Sequence, residues 1–139
     1  MVYLPGADAV IVADKITTVN PQLIRFRIPL TVNALTLKEK VWSFSSGYVG
    51  RKIESNRRID GTITDISPEN LTRKITEHKT DSKGGILERK TAEIQKMGQR
   101  ALFGVILQLG NSAKVTANVT DAGLEIAVDG KNTLISWDK

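Results

Sequence analysis

The chain has 139 residues, enough for one domain with a real hydrophobic core. It is 40% hydrophobic and 25% charged, which excludes a long disordered tail, and it lacks cysteine, which excludes disulfides, thiol catalysis and cysteine-ligated zinc or iron–sulfur sites. The formal charge of +5 is spread as +2 over residues 1–50, +4 over 51–100 and −1 over 101–139, and a mixed solvated surface explains this as well as a nucleic-acid surface does.

The opening MVYLPGADAV has no basic region followed by an apolar core, so no signal peptide is predicted. Ala9–Ala13 has strand composition and reads either as a buried strand or as part of an interaction arm over residues 1–13. After a turn at Asn20-Pro21, Leu23–Leu30 is the clearest early strand. Ile24, Phe26, Ile28 and Leu30 face one way and Arg25 and Arg27 the other, with Pro29 placing the strand at an edge. In 31–44 the apolar parity shifts near Val41, which predicts a bulge or bend. Trp42 is expected in the core or at a subunit interface.

Residues 51–66 form the most basic compact stretch, with Arg51, Lys52, Arg57 and Arg58 brought together if a hairpin turns near Ser55-Asn56. Ile59, Gly61 and Ile63 share one parity, and Arg58, Asp60, Thr62 and Thr64 the other. Two readings fit residues 68–79. Ser67-Pro68-Glu69 can cap a helix, and the alternation of Leu71, Arg73 and Ile75 with Thr72, Lys74 and Thr76 suits a strand.

Ile86–Leu109 is the only long helical pattern. Leu87, Ile94, Ala101, Val105 and Leu109 make a stripe at helical spacing, widened by Met97, Leu102 and Ile106. The half before Arg100 carries a polar face, and ALFGVILQL after it is apolar all round, as in an enclosed helix. The run is far shorter than the roughly 20 residues a membrane crossing needs, so no transmembrane segment is predicted. Gly98 and Gly104 each cost a helix about 1 kcal/mol. They point to a kink or a close backbone approach, and a break near Gly104 with VILQL as a strand is the alternative. Gly110-Asn111-Ser112 stops the element, and three short strands with tight turns then form a meander, with Trp137 packed on the helix. The predicted fold is thus α+β, predominantly antiparallel β with one long central helix and a C-terminal β-meander.

Chemistry finds little support. The carboxylates are scattered, His78 is the only histidine, and no G-x-S-x-G elbow supplies a nucleophile. A magnesium site from Asp60, Asp65 or Asp81 has no favouring spacing, and no cofactor is implied. No Rossmann fingerprint, zinc finger, RRM or KH pattern is present. The reading that remains is a non-enzymatic interaction or self-assembly component, with itself or another protein as partner. Its candidate interface is Val10, Ile11, Val12, Trp42, Leu102 and Ile106. The alternative is electrostatic nucleic-acid binding through Arg51, Lys52, Arg57 and Arg58, extended by Arg25 and Arg27. Small β-rich tail and baseplate proteins of phages are broadly similar in composition and in setting one helix against strands. That similarity implies a structural subunit of a viral or phage particle, and carries no functional residue with it.

Overall fold

The computed structural model describes residues 1–46, 48–49, 52–53, 58–69, 71–82, 85–110 and 113–137. The strands in chain order are β1 (Val2–Leu4), β2 (Ala9–Thr31), β3 (Ala34–Lys38), β4 (Val41–Ser46), β5 (Tyr48–Val49) and β6 (Lys52–Ile53). They continue with β7 (Ile59–Asp65), β8 (Thr72–Ser82), β9 (Gly85–Leu109), β10 (Val115–Val119), β11 (Gly123–Val128) and β12 (Lys131–Ser136). A 3₁₀ turn, Pro5–Ala7, joins β1 to β2.

The predicted central helix does not exist. Its whole length is β9, a 25-residue strand at the centre of a seven-stranded antiparallel sheet, and the fold is mostly β rather than α+β. β2 lines one edge of β9 from Arg89 to Gln108. β8 lines the other edge along Gly85–Gln95, and β7 takes over along Val105–Leu109. The sheet continues from β7 through β4 to β3, and β1 covers Ala9–Ile11 of β2.

The helical stripe has a specific origin. Thr17 pairs with Arg100 and Gln22 with Gly98, so residues 18–21 of β2 oppose the lone Gln99 of β9. Gly98 takes φ +155° at this bulge, a value L side chains rarely adopt. The Gln99 side chain donates to the Val19 carbonyl at 2.8 Å, and the Thr18 hydroxyl to that of Asn20 at 2.8 Å. Crossing the bulge flips the parity of β9. Ile94 and Ala101, seven apart, would point to opposite faces of a regular strand, yet both lie in the same core.

That core holds Ile24, Trp42, Phe44, Ile63, Ile94, Phe103 and Val105 between the folded halves of the seven-stranded sheet. Trp42 is fully buried, and its Nε1 donates to the Lys74 carbonyl at 3.3 Å. A second sheet, β10-β11-β12, covers the opposite face of Ala9–Ala13 and Leu102–Gln108. It encloses Ala7, Ile11, Ile106, Val119, Leu124 and Ile126. ALFGVILQL is therefore apolar on both sides because alternate residues of this strand face the two cores. Gly104 lets this happen. A Cβ there would stand 2.2 Å from Val119 Cγ2.

Of the bulge or bend expected near Val41 the chain takes the bend, a reversal at Glu39-Lys40 with Glu39 at φ +55°. The segment after Pro68 is a strand, and Ser67 caps no helix. Its hydroxyl instead accepts from the Gly104 N–H at 3.1 Å. The C-terminal meander forms as expected, but Trp137 packs in the second core and donates from Nε1 to the Thr120 carbonyl at 2.7 Å. The expected turn at Ser55-Asn56 lies outside the described residues.

Candidate functional site

Antiparallel registry places directly paired residues on one face. Tyr3 pairs with Val10, Val10 with Leu107, and Leu107 with Ile63, so an apolar row crosses four strands. Ile63 is buried, whereas Val10 and Leu107 are half-buried and Tyr3 is 64% exposed. Leu109, Ile59 and half-buried Val12 flank the row on the same face, with Leu109 40% and Ile59 51% exposed. This is the face that lines the first core: Ile63 lies in it, Leu107 and Val12 pack against it, and only Tyr3, Leu109 and Ile59 at its margin are exposed.

A solvent-facing surface lies on the distal halves of β2 and β9 with β8. The core-facing residues there are Ile24, Phe26, Ala92 and Ile94. The opposite face carries Arg25 and Arg27 from β2, Arg89 and Glu93 from β9, and Lys74 and His78 from β8. Glu93 pairs directly with both Arg27 and Lys74. Its side chain is only 3% exposed, and ion pairs reach it from Arg27 Nε at 3.1 Å, Arg25 Nε at 3.6 Å and Lys74 Nζ at 3.6 Å. Gln95 Nε2 donates to the same carboxylate. Burial pushes the Glu93 pKa up. The Gln95 hydrogen bond and the charges of Lys74, Arg27 and Arg25 outweigh it, and the carboxyl sits below its ordinary value.

The predicted charged residues are divided. Arg51 and Arg57 lie outside the described residues, as does the side chain of Lys52. Arg58 donates to Asp60 at 2.9 Å at the start of β7, near the Leu109 end of β9, whereas Arg25 and Arg27 pair with Gln95 and Glu93. Among the predicted interface residues, Ile11, Trp42 and Ile106 are interior side chains, because this chain covers them itself. Leu102 is half-buried against the second core. Val10 and Val12 are half-buried members of the apolar row, and Val12 packs against the first core.

An open depression of about 520 Å³ lies beside Arg58 and Asp60, with Thr36, Ser43, Ser45 and Thr62 on its walls. The Arg58 hydrogen bond, then that of Ser45, holds Asp60 below the usual carboxylate range, which makes it a weak base at neutral pH. Among the described residues no three histidine or acidic side chains converge as a metal cage. No helix there is long and apolar enough to cross a membrane.

Lys74, Arg89 and Glu93 were missed as site residues because a helix reading scatters them over a solvated surface. The available signal was the two-residue alternation of Arg89, Thr91, Glu93 and Gln95 with Lys90, Ala92 and Ile94. No protein-family model matches the chain, and no curated protein or solved structure shows significant similarity to it.

Proposed function

We propose that this protein is an interaction or self-assembly component that docks through the Tyr3–Val10–Leu107 face. The observation that carries this reading is the apolar row running in register over β1, β2 and β9, flanked by Leu109 and Ile59. An exposed tyrosine at the margin of an apolar row suits an interface, since its ring offers large contact area at low conformational cost and its hydroxyl can find a partner. Burying such a face removes apolar area from water at about 25 cal/mol per Å². A second copy presenting the same row would make a closed two-fold contact.

The test is solution mass by light scattering after size exclusion, over a range of protein and salt concentrations. The expected result is a defined oligomer that resists high salt and that Tyr3→Ser with Leu109→Ser dissociates. A protein that stays monomeric at high concentration would overturn self-assembly. An oligomer unaffected by the double substitution would overturn this choice of face.

A further inference from the structure

We infer that the face formed by Arg25, Arg27, Lys74 and Arg89 binds the phosphate backbone of duplex nucleic acid without reading its sequence. The four cations share a face on which Glu93 is the sole acidic residue among those described. One carboxylate cannot neutralise Arg25, Arg27 and Lys74 together. It sits beneath them, 3% exposed, while their side chains are 53%, 55% and 44% exposed. Glu93 therefore fixes the three heads in place and leaves a surplus of positive charge directed outward. The order is built in before any ligand arrives, which lowers the entropic cost of binding.

The geometry suits a duplex. β2 and β8 flank β9, so their cations stand about 10 Å apart, and Arg89 lies roughly 13 Å along β9 from Glu93. A duplex carries one negative charge per about 1.7 Å of axis, enough to meet every cation of such an array. Thr31, Thr72, Thr76 and Gln95 on the same face add neutral donors of the kind that bind phosphate oxygens. Among the described residues no aromatic ring lies on this face, which disfavours single strands, whose binding uses stacking. An acidic protein would want an apolar or aromatic anchor at the centre. The exposed apolar residues here, Leu23 and Met97, pair with each other at one end.

The experiment titrates the full chain against a short fluorescein-labelled duplex of arbitrary sequence by fluorescence anisotropy over a range of salt. Binding should weaken log-linearly with salt, with a slope of about −3. Arg89→Ala and Arg27→Gln should each flatten that slope by about one unit. Lys131→Ala, an exposed cation on β12, should leave it unchanged. Arg27→Gln keeps two cations on Glu93. If its melting is not cooperative, Arg89→Ala, four residue pairs further along the sheet, decides alone. Absence of duplex binding at low salt, or an equal loss from Lys131→Ala, overturns the inference. So does stronger binding to poly-glutamate or to phosphatidylserine vesicles than to the duplex, which would identify an acidic protein or a lipid surface instead.

Discussion

The rings of Phe26 and Phe103 stack with centroids 5.6 Å apart and planes at 26°. Phe26 pairs with Ile94, nine residues before Phe103 on the same strand. Nine residues of straight strand span roughly 30 Å. The contact therefore records how sharply the β2–β9 ribbon folds at its bulge, and it closes the first core. Phe103→Ala is expected to cost about 3–5 kcal/mol in urea denaturation. A double-mutant cycle with Phe26→Ala should show a coupling of about 0.5–1.5 kcal/mol. Strict additivity would mean that the two rings do not support each other.

This bend also decides what could be read from the sequence. Ile24, Phe26, Ile28 and Leu30 alternate with Arg25 and Arg27, have one covered face, and were legible as a strand. The C-terminal meander was legible for the same reason. β9 was not. Its Ala101–Leu109 half is enclosed on both faces, which erases alternation, and a continuous apolar run fits a helix stripe as well as a strand. The Ile94-to-Ala101 spacing of seven, which looked like helix, is a strand with a parity flip at Gly98. Strands of this length are also far beyond the usual 3–10 residues, so length favoured the wrong element. The bare cationic face was half legible. Arg25 and Arg27 were visible as outward arginines, but Glu93 and Lys74 join them only through pairings between strands distant in the chain.

Gly104 tests how closely the two sheets approach. An added Cβ meets Val119 Cγ2 at 2.2 Å and Ile66 Cγ1 at 2.9 Å, both in tightly packed surroundings. Gly104→Ala should lower stability by about 1–3 kcal/mol, as overpacking does. Combining it with Val119→Ala removes the nearest clash, so the double variant should be more stable than the two single losses added together. Thermal melts of all four proteins give the comparison.

Glu93 predicts a direction with pH. Its folded pKa lies below the ordinary value of 4.5, so its ion pairs contribute stability fully above that value. The contribution fades as pH falls through the lower folded value, because the folded state then takes up the proton. Glu93→Gln should therefore be less stable than the parent at neutral pH, and the gap should narrow in acid below about pH 4.5. Urea midpoints measured from pH 7 downward would show it. A gap that is constant across that range would mean that Glu93 contributes through packing alone.

Asp65 and Arg73 offer the sharpest separation of pairing from packing. Arg73 Nε donates to Asp65 Oδ2 at 2.5 Å, and Asp65 Oδ1 accepts from the Ser67 N–H at 2.8 Å. The Asp65 side chain is fully buried and that of Arg73 is 11% exposed. Arg73 Nη2 is buried without a hydrogen-bond partner, so the pair is incompletely compensated even when intact. Asp65→Ala leaves the guanidinium buried without its anion and should cost about 3–5 kcal/mol. Removing both charges with Asp65→Ala and Arg73→Met should recover much of that loss, since an apolar chain has no desolvation to offset. The loss of the Ser67 contact limits the recovery, because that N–H then has no acceptor. A double variant as unstable as Asp65→Ala alone would mean that the carboxylate acts chiefly by holding the Ser67 turn against Gly104, where β7 hands its place along β9 to β8.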